Sequence, residues 1–329
     1  MAGAYEIVMQ QRKDLVDMII GMMQQGEFFN NASEWNSVAL SPQNPLSNVR
    51  YKDGNRLKQM TAVLINHYQD PRWATAKQYM EKGYHIRKGE HGIICEKWIF
   101  KKEKVVTDEN GNKHKEETLL DHPQVAFFRV FNGEQVEGFP AFEPALDSQR
   151  KTDISIMGDR LIETSECPVE LLAQEKAFYS PAQDKIVLPL RSQFKDEVSF
   201  VKTLLHEMSH SSGAPGRLNR DMGGMFGSDS YAKEELRAEI GSLFTGFDLG
   251  LKLNAEHYED HSDYLKSWIS VLKDDYNELF RACADAEKIS ERLVANYCRK
   301  YELERDVPGN LLLQLEQQTP CKTEPGKTL

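Results

Sequence analysis

The sequence predicts an α+β protein in two units: an N-terminal α+β domain with a small antiparallel sheet, and a mostly helical C-terminal domain. Three observations predict it. Apolar residues recur at helical spacing up to about residue 82, then switch to strand-like runs at 92–100 and 124–131. Residues 138–151 contain Pro140 and Pro144 and show little periodicity, which marks a linker. From about Thr152 helical patterns return and dominate. The expected division is therefore 1–138, a linker over 139–151, a second domain over 152–318 and a tail over 319–329. Pro320, Pro325 and Gly326 in that tail fit disorder.

Each element has a local reason. Residues 4–25 place Ile7, Val8, Leu15, Met18, Ile19 and Met22 on one helical face, and Gly26 ends the helix. Residues 30–55 read as irregular, with Ser41-Pro42 and Asn44-Pro45 as turns. A second helix is expected over 55–67 and a third over about 75–82, where Gly83 stops it. Gly92–Phe100 and Gln124–Phe131 are β-rich. The polar run between them turns at Asp108–Gly111. The second unit opens with a helix and continues through a hairpin around Ala177–Pro189. Helices carrying residues 200–210 and 231–248 follow, and then two more.

With 40% hydrophobic and 28% charged residues among 329, the composition is that of a soluble globular protein. No run approaches the ~20 apolar residues of a membrane span, and the N-terminus lacks the pattern of a secretory signal. Cys95, Cys167, Cys283, Cys298 and Cys321 are scattered and never spaced CxxC, which suits reduced thiols in a cytoplasmic protein. Net charge is −10, which argues against a protein that coats nucleic acid uniformly. Its distribution is uneven. Arg50–Lys104 holds 13 Lys and Arg against 6 Asp and Glu, so this stretch is +7 and the rest −17.

The most specific chemistry lies at His206-Glu207-Met208-Ser209-His210. On a helix, His206 and His210 fall one turn apart on one face and can share a zinc ion. Glu207 is rotated about 100° from His206. It can instead deprotonate a water held by the metal, as in metal-dependent hydrolases. Phe200, Val201, Leu204, Leu205 and Met208 supply the buried face of such a helix. Catalytic zinc sites use three protein ligands. The third is expected from residues 231–248, where Glu235 and Glu239 sit four apart beside the stripe of Leu236, Ile240, Leu243, Phe244 and Phe247. We assign Glu235 as the ligand and Glu239 as the carboxylate that orients a ligand histidine. The reverse is the alternative, and His261 a further one. Glu234 reads as a solvated charge. His257 and His261, among Glu256, Glu259, Asp260 and Asp263, read as an exposed helix face.

In the basic N-terminal stretch, Arg72, Trp73, Lys77, Tyr84, His85, Arg87, Lys88, Lys97 and Trp98 interleave cations with aromatic rings. Cations track phosphates and rings stack on unpaired bases, so these nine are candidate contacts for single-stranded DNA. Core packing of Trp73 and Trp98 is the competing reading.

These residues, together with their neighbours, carry a resemblance. Asn44-Pro45, Asp70-Pro71-Arg72-Trp73, Gly83-Tyr84-His85-Ile86-Arg87-Lys88-Gly89-Glu90 and Phe131-Asn132-Gly133-Glu134 resemble the N-terminal domain of ArdC-type antirestriction proteins. Related domains occur in conjugative-plasmid primases. The second half is similar through Phe178-Tyr179, His206-Glu207-x-x-His210, Gly213, Arg217-Leu218-Asn219-Arg220 and Glu234-Glu235-Leu236-x-Ala238-Glu239. The resemblance implies a single-stranded DNA-binding domain followed by a zincin-like, zinc-dependent metallopeptidase domain. It also implies carriage by plasmids or phages and protection of incoming DNA from restriction. The sequence departs from the family pattern at Ala214, where a histidine is common, and in its charged stretch at 104–118. The peptide substrate is left open, with a restriction protein and a repressor as the candidates. The alternatives are a binding-only protein with a structural zinc and a regulatory protease that cuts a repressor.

Overall fold

Helical periodicity in the first 25 residues becomes α1 (Ala4–Gln24), which buries Val8, Val16, Ile19, Ile20 and Met23. The computed structural model describes residues 3–25, 39–107, 113–143, 154–225, 227–251 and 262–301. After α1, a stretch expected to be irregular contains a short antiparallel pair, β1 (Gln43–Asn44) and β2 (Val49–Arg50). Helix α2 (Asp53–Asn66) begins two residues before its expected start and ends where His67 turns left-handed at φ 56°. Its middle is buried all round, including the polar Arg56, Lys58 and Gln59. An apolar stripe alone would not have announced that.

Strand β3 (Trp73–Thr75) leads into α3 (Ala76–Glu81), whose first turn is capped by Thr75 Oγ1 accepting from the Gln78 amide at 3.2 Å. A short strand β4 (His85–Ile86) is followed by β5 (Ile93–Thr107) and β6 (Lys113–Asn132). β6 is central in the antiparallel order β3-β6-β5, and β7 (Val136–Glu137) pairs with β4. Both long strands outrun the sequence expectation. Beyond an irregularity at Ile99/Lys101 they continue as an exposed ribbon, with Lys101–Glu117 and Lys115–Glu103 ion pairs at 2.7 Å. Charged pairs across a solvated ribbon leave no apolar alternation to read. The expected turn at Asp108–Gly111 lies outside the described residues, as do Glu256–His261 and the tail.

The second half opens with α4 (Ile154–Thr164). Then β8 (Val169–Leu172), β9 (Phe178–Ser180) and β10 (Lys185–Pro189) form a mixed sheet in the order β8-β10-β9. β9 and β10 are the expected hairpin. β8, parallel to β10, was not foreseen, because a four-residue run has little periodicity. Helices α5 (Glu197–Ser211), α6 (Asp229–Asp248), α7 (Ser262–Asp274) and α8 (Asn277–Lys300) complete the chain.

One hydrophobic cluster runs through both halves, from Val16 and Leu57 through Trp73 and Val130 to Leu205, Phe244 and Ile289. α2 and α8 approach so closely at Gly54 that a Cβ there would collide with the Phe280 ring. Arg56, 1% exposed, crosses the same junction to Asp248 on α6 at 3.0 Å and Glu287 on α8 at 3.5 Å. Among the described residues no helix is long and apolar enough to cross a membrane, and Cys95, Cys167, Cys283 and Cys298 form no disulfide.

Candidate metal centre

Asp196 starts α5 by accepting from the Ser199 amide at 2.8 Å, and Phe200, Val201, Leu204, Leu205 and Met208 bury the helix. That burial turns His206 and His210 toward α6, their rings edge to face with centroids 4.7 Å apart. Ser228 caps α6, taking the Tyr231 amide at 3.2 Å. The α6 stripe then carries Glu235 and Glu239 to the histidines.

Donor atoms of His206, His210 and Glu235 all lie within 4.8 Å of one another. The two Nε2 atoms are 3.1 Å apart, His206 Nε2 is 3.4 Å from Glu235 Oε2, and His210 Nε2 is 3.5 Å from Glu235 Oε1. Ligands at ~2.0–2.1 Å in a tetrahedron are about 3.3 Å apart, so these separations suit one ion. The outer nitrogens are engaged separately: His206 Nδ1 meets Glu239 Oε2 at 3.2 Å and His210 Nδ1 meets Glu234 Oε1 at 3.2 Å. Both Nε2 atoms therefore face inward toward Glu235, and the three side chains could hold a metal. The arrangement matches the carboxylate–histidine partnership of metal sites. Glu207 is buried nearby and its charge acts on His206.

Electrostatics agree with the geometry. Burial alone would lower the His206 proton affinity, but hydrogen bonds to Glu235 and Glu239 and the charge of Glu207 raise it well above the imidazole range. Burial would raise Glu235; its contacts with His206, His210 and Tyr231 hold it below the carboxylate norm instead. Lys202, one turn before His206 on α5, is pushed down to about 8 by burial, against the pull of Glu239 3.9 Å away.

Glu234 is a correction. It is 6% exposed, not solvated, and Arg220 grips it with Nη2–Oε1 at 2.7 Å and Nε–Oε2 at 3.1 Å. Arg220 is itself anchored on Ser212 Oγ at 2.9 Å and the Ser209 carbonyl at 2.7 Å. Glu234 is about 100° from Glu235 on the helix, so two histidines one turn apart can each meet a different member of an adjacent acidic pair. The Glu-Glu pair and the nearby Arg220 were the available signal; their mutual pairing was not.

The nine candidate DNA contacts separate. Arg72 and Trp73 are corrections: Arg72 is 3% exposed and locked on Asp70 at 2.6 Å, and Trp73 is 1% exposed in the core. Neither can reach a strand. Tyr84 is half-buried, edge-on to Phe139 at 5.1 Å. Lys77, His85, Arg87, Lys88 and Lys97 are exposed. Arg87 donates to the Glu134 carbonyl at 2.8 Å, which steadies its turn. Trp98 is half-buried, with Arg12 over its ring.

Comparison with known proteins adds the following. A family described as the N-terminal domain of anti-restriction factor ArdC matches residues 9–131, and one described as zincin-like metallopeptidase matches 157–285. A DNA primase TraC of Escherichia coli is 38% identical over 265 residues, covering 78% of this chain but 18% of the primase. The chain thus spans under a fifth of that relative. An uncharacterized protein, y4eC, of Sinorhizobium fredii is 30% identical over 256 residues, 78% of this chain and 81% of its own. The crystal structure of the antirestriction protein ArdC from plasmid R388, metal-free, superposes with TM-score 0.67 at 26% identity over 88% of this chain and 98% of that one. An Mn(II)-bound structure of the same protein gives 0.66 at 25%, over 87% and 97%.

Proposed function

The chain belongs to the ArdC-type antirestriction family with a zincin-like metallopeptidase domain, and from that premise we propose that it binds single-stranded DNA and hydrolyses peptide bonds with zinc. The observation that carries the hydrolytic half is the convergence of His206, His210 and Glu235, with Glu239 and Glu234 on their outer nitrogens. Two imidazoles and a carboxylate are a ligand set that zinc favours. The metal, when bound, supplies Lewis acidity toward water and a peptide carbonyl. Glu207 accepts the proton of the attacking water and returns it to the leaving amine. Glu239 and Glu234 hold the imidazoles with Nε2 inward, and Arg220 holds Glu234.

The DNA half of the reading rests on the exposed cations Lys77, Arg87, Lys88 and Lys97, with His85 and Trp98 among them, in the N-terminal unit that ends within 139–151. Antirestriction then combines strand engagement with cleavage of a protein substrate, a host restriction protein being the candidate.

Glu207→Gln should keep one metal ion per chain by mass spectrometry and lose turnover on casein or fluorogenic peptides by ~10²–10⁴-fold. Undiminished hydrolysis in that variant would remove Glu207 as the base. Loss of hydrolysis with antirestriction intact would separate the peptidase from protection. Glu234→Gln should weaken metal affinity ~10–100-fold, measured by competition with a chelating indicator. An unchanged affinity would leave Glu234 as scaffolding only.

A further inference from the structure

We infer that the cavity between the first turns of α1, the middle of β5 and the first turns of α8 is a stacking site for one unpaired nucleobase. The inference rests on the single-stranded DNA reading above. The cavity measures about 360 Å³, within the ~300–1,000 Å³ of small-ligand sites. Its walls include Tyr5, Met9, Arg12, Trp98, Phe280 and Arg281.

Two accessible rings, Tyr5 and half-buried Trp98, and a guanidinium that covers the buried Phe280 ring suit a flat π-system. Arg12 lies 4.3 Å from the Phe280 centroid and 5.3 Å from that of Trp98. It is held there by Glu96, which takes its Nε at 2.9 Å, and by Asn277, which takes Nη1 at 2.8 Å. Glu96 and Trp98 share a face of β5 by strand alternation, which is why both meet Arg12. Tyr5 keeps 60% of its surface exposed at the cavity, an aromatic available without any rearrangement of the core.

The charge inventory favours a base over a phosphate. Arg12 is neutralised by Glu96, and Arg281 by Asp275 and Glu278, each at 2.5 Å. The cations suited to phosphates lie outside the cavity. Lys97 is exposed on the opposite face of β5 from Trp98, and the Arg87–Lys88 turn is exposed just before β5. From Ile93 to Trp98 the strand advances about 17 Å, a span of a few nucleotides. A strand whose backbone is held at the Arg87–Lys88 turn and runs along β5 can turn one base into the cavity. Because Phe280 and Arg281 belong to α8, the site needs both halves of the chain. α8 also packs on α6, where Gly241 lies against Ile289, and α6 carries Glu235.

The test uses the full chain and fluorescence-labelled oligo(dT), followed by anisotropy at several salt concentrations. Trp98→Ala and Tyr5→Ala should each weaken binding about 5- to 150-fold, the effect of losing one stacked base. The slope of log affinity against log salt should not change, since no phosphate contact is lost. Trp98→Phe should restore most of the affinity. An abasic strand of the same length should bind wild type and Trp98→Ala alike. Wild-type affinity in the Tyr5 and Trp98 variants, with Arg87→Ala/Lys88→Ala weakened, would overturn the base site and leave the single-strand reading standing. An abasic strand weakened as much as oligo(dT) by Trp98→Ala would also overturn it. Failure of the wild type to bind any single strand would remove both.

Discussion

His206→Ala should leave the purified protein without stoichiometric metal. The substitution removes one of two imidazoles whose Nε2 atoms stand 3.1 Å apart, and so dismantles a three-donor site. Its effect should exceed the ~10–100-fold that loss of a ligand's hydrogen-bond partner costs. It also removes the ring that meets Glu235 and Glu239, so each of these buried carboxylates loses a partner and the fold without metal is destabilised. Two measurements check this: metal per chain after dialysis, and thermal melting of wild type and variant in chelator. One ion per chain retained by the variant would move the site away from α5. A melting temperature equal to that of the metal-free wild type would contradict a stabilising role for the His206 contacts with Glu235 and Glu239.

The largest stability effect is expected at the junction of the two halves. Arg56 donates to Asp248, Glu287 and the Phe244 carbonyl, and its guanidinium lies 4.1 Å from the Phe244 ring centroid. Arg56→Met keeps the bulk but leaves two buried carboxylates without this partner. Breaking a buried ion pair from one side costs roughly 3–5 kcal/mol. Arg50 and Ser290 still reach Asp248, so the lower end of that range is expected.

The pH dependence has a definite sign. Burial would raise the Asp248 carboxyl, but Arg56, Arg50 and Ser290 together bring it down to about 2. Its folded value thus lies below its unfolded one. The stabilisation is complete above the unfolded value, near pH 4, and is lost as pH falls toward 2. For wild type this amounts to about 2 kcal/mol. In Arg56→Met the Asp248 carboxyl rises, and acid relieves the defect. The gap between the two proteins should therefore be widest near neutral pH and narrow as pH falls below 4. Urea unfolding at pH 7 and at successive acid steps measures it. A gap under 1 kcal/mol at pH 7, or one that widens in acid, would be inconsistent with this account.

Much of the fold and part of the candidate site were legible in the sequence because they depend on local spacing. The helical period puts His206 and His210 on one face, Glu235 and Glu239 on another, and marks α1, α2, α5 and α6 by their apolar stripes. Strand propensity likewise announced β5, β6 and the β9–β10 hairpin. What the sequence left open concerns partners distant along the chain. Arg56 meets Asp248 across 192 positions, Arg220 meets Glu234 across 14, and Glu234 meets His210 across 24. Whether a charge is solvated or buried against its opposite depends on which surfaces pack together, and no local period encodes that. Hence Glu234 reads as an ordinary surface acid, and Arg72 and Trp73 read as strand contacts, until tertiary packing closes over them. By itself the sequence determined which residues could hold a metal and on which helices they sit. Only the tertiary structure decided which carboxylate meets which imidazole, which cations stay exposed, and that both halves share one core, because burial and long-range charge pairing are properties of the packed whole.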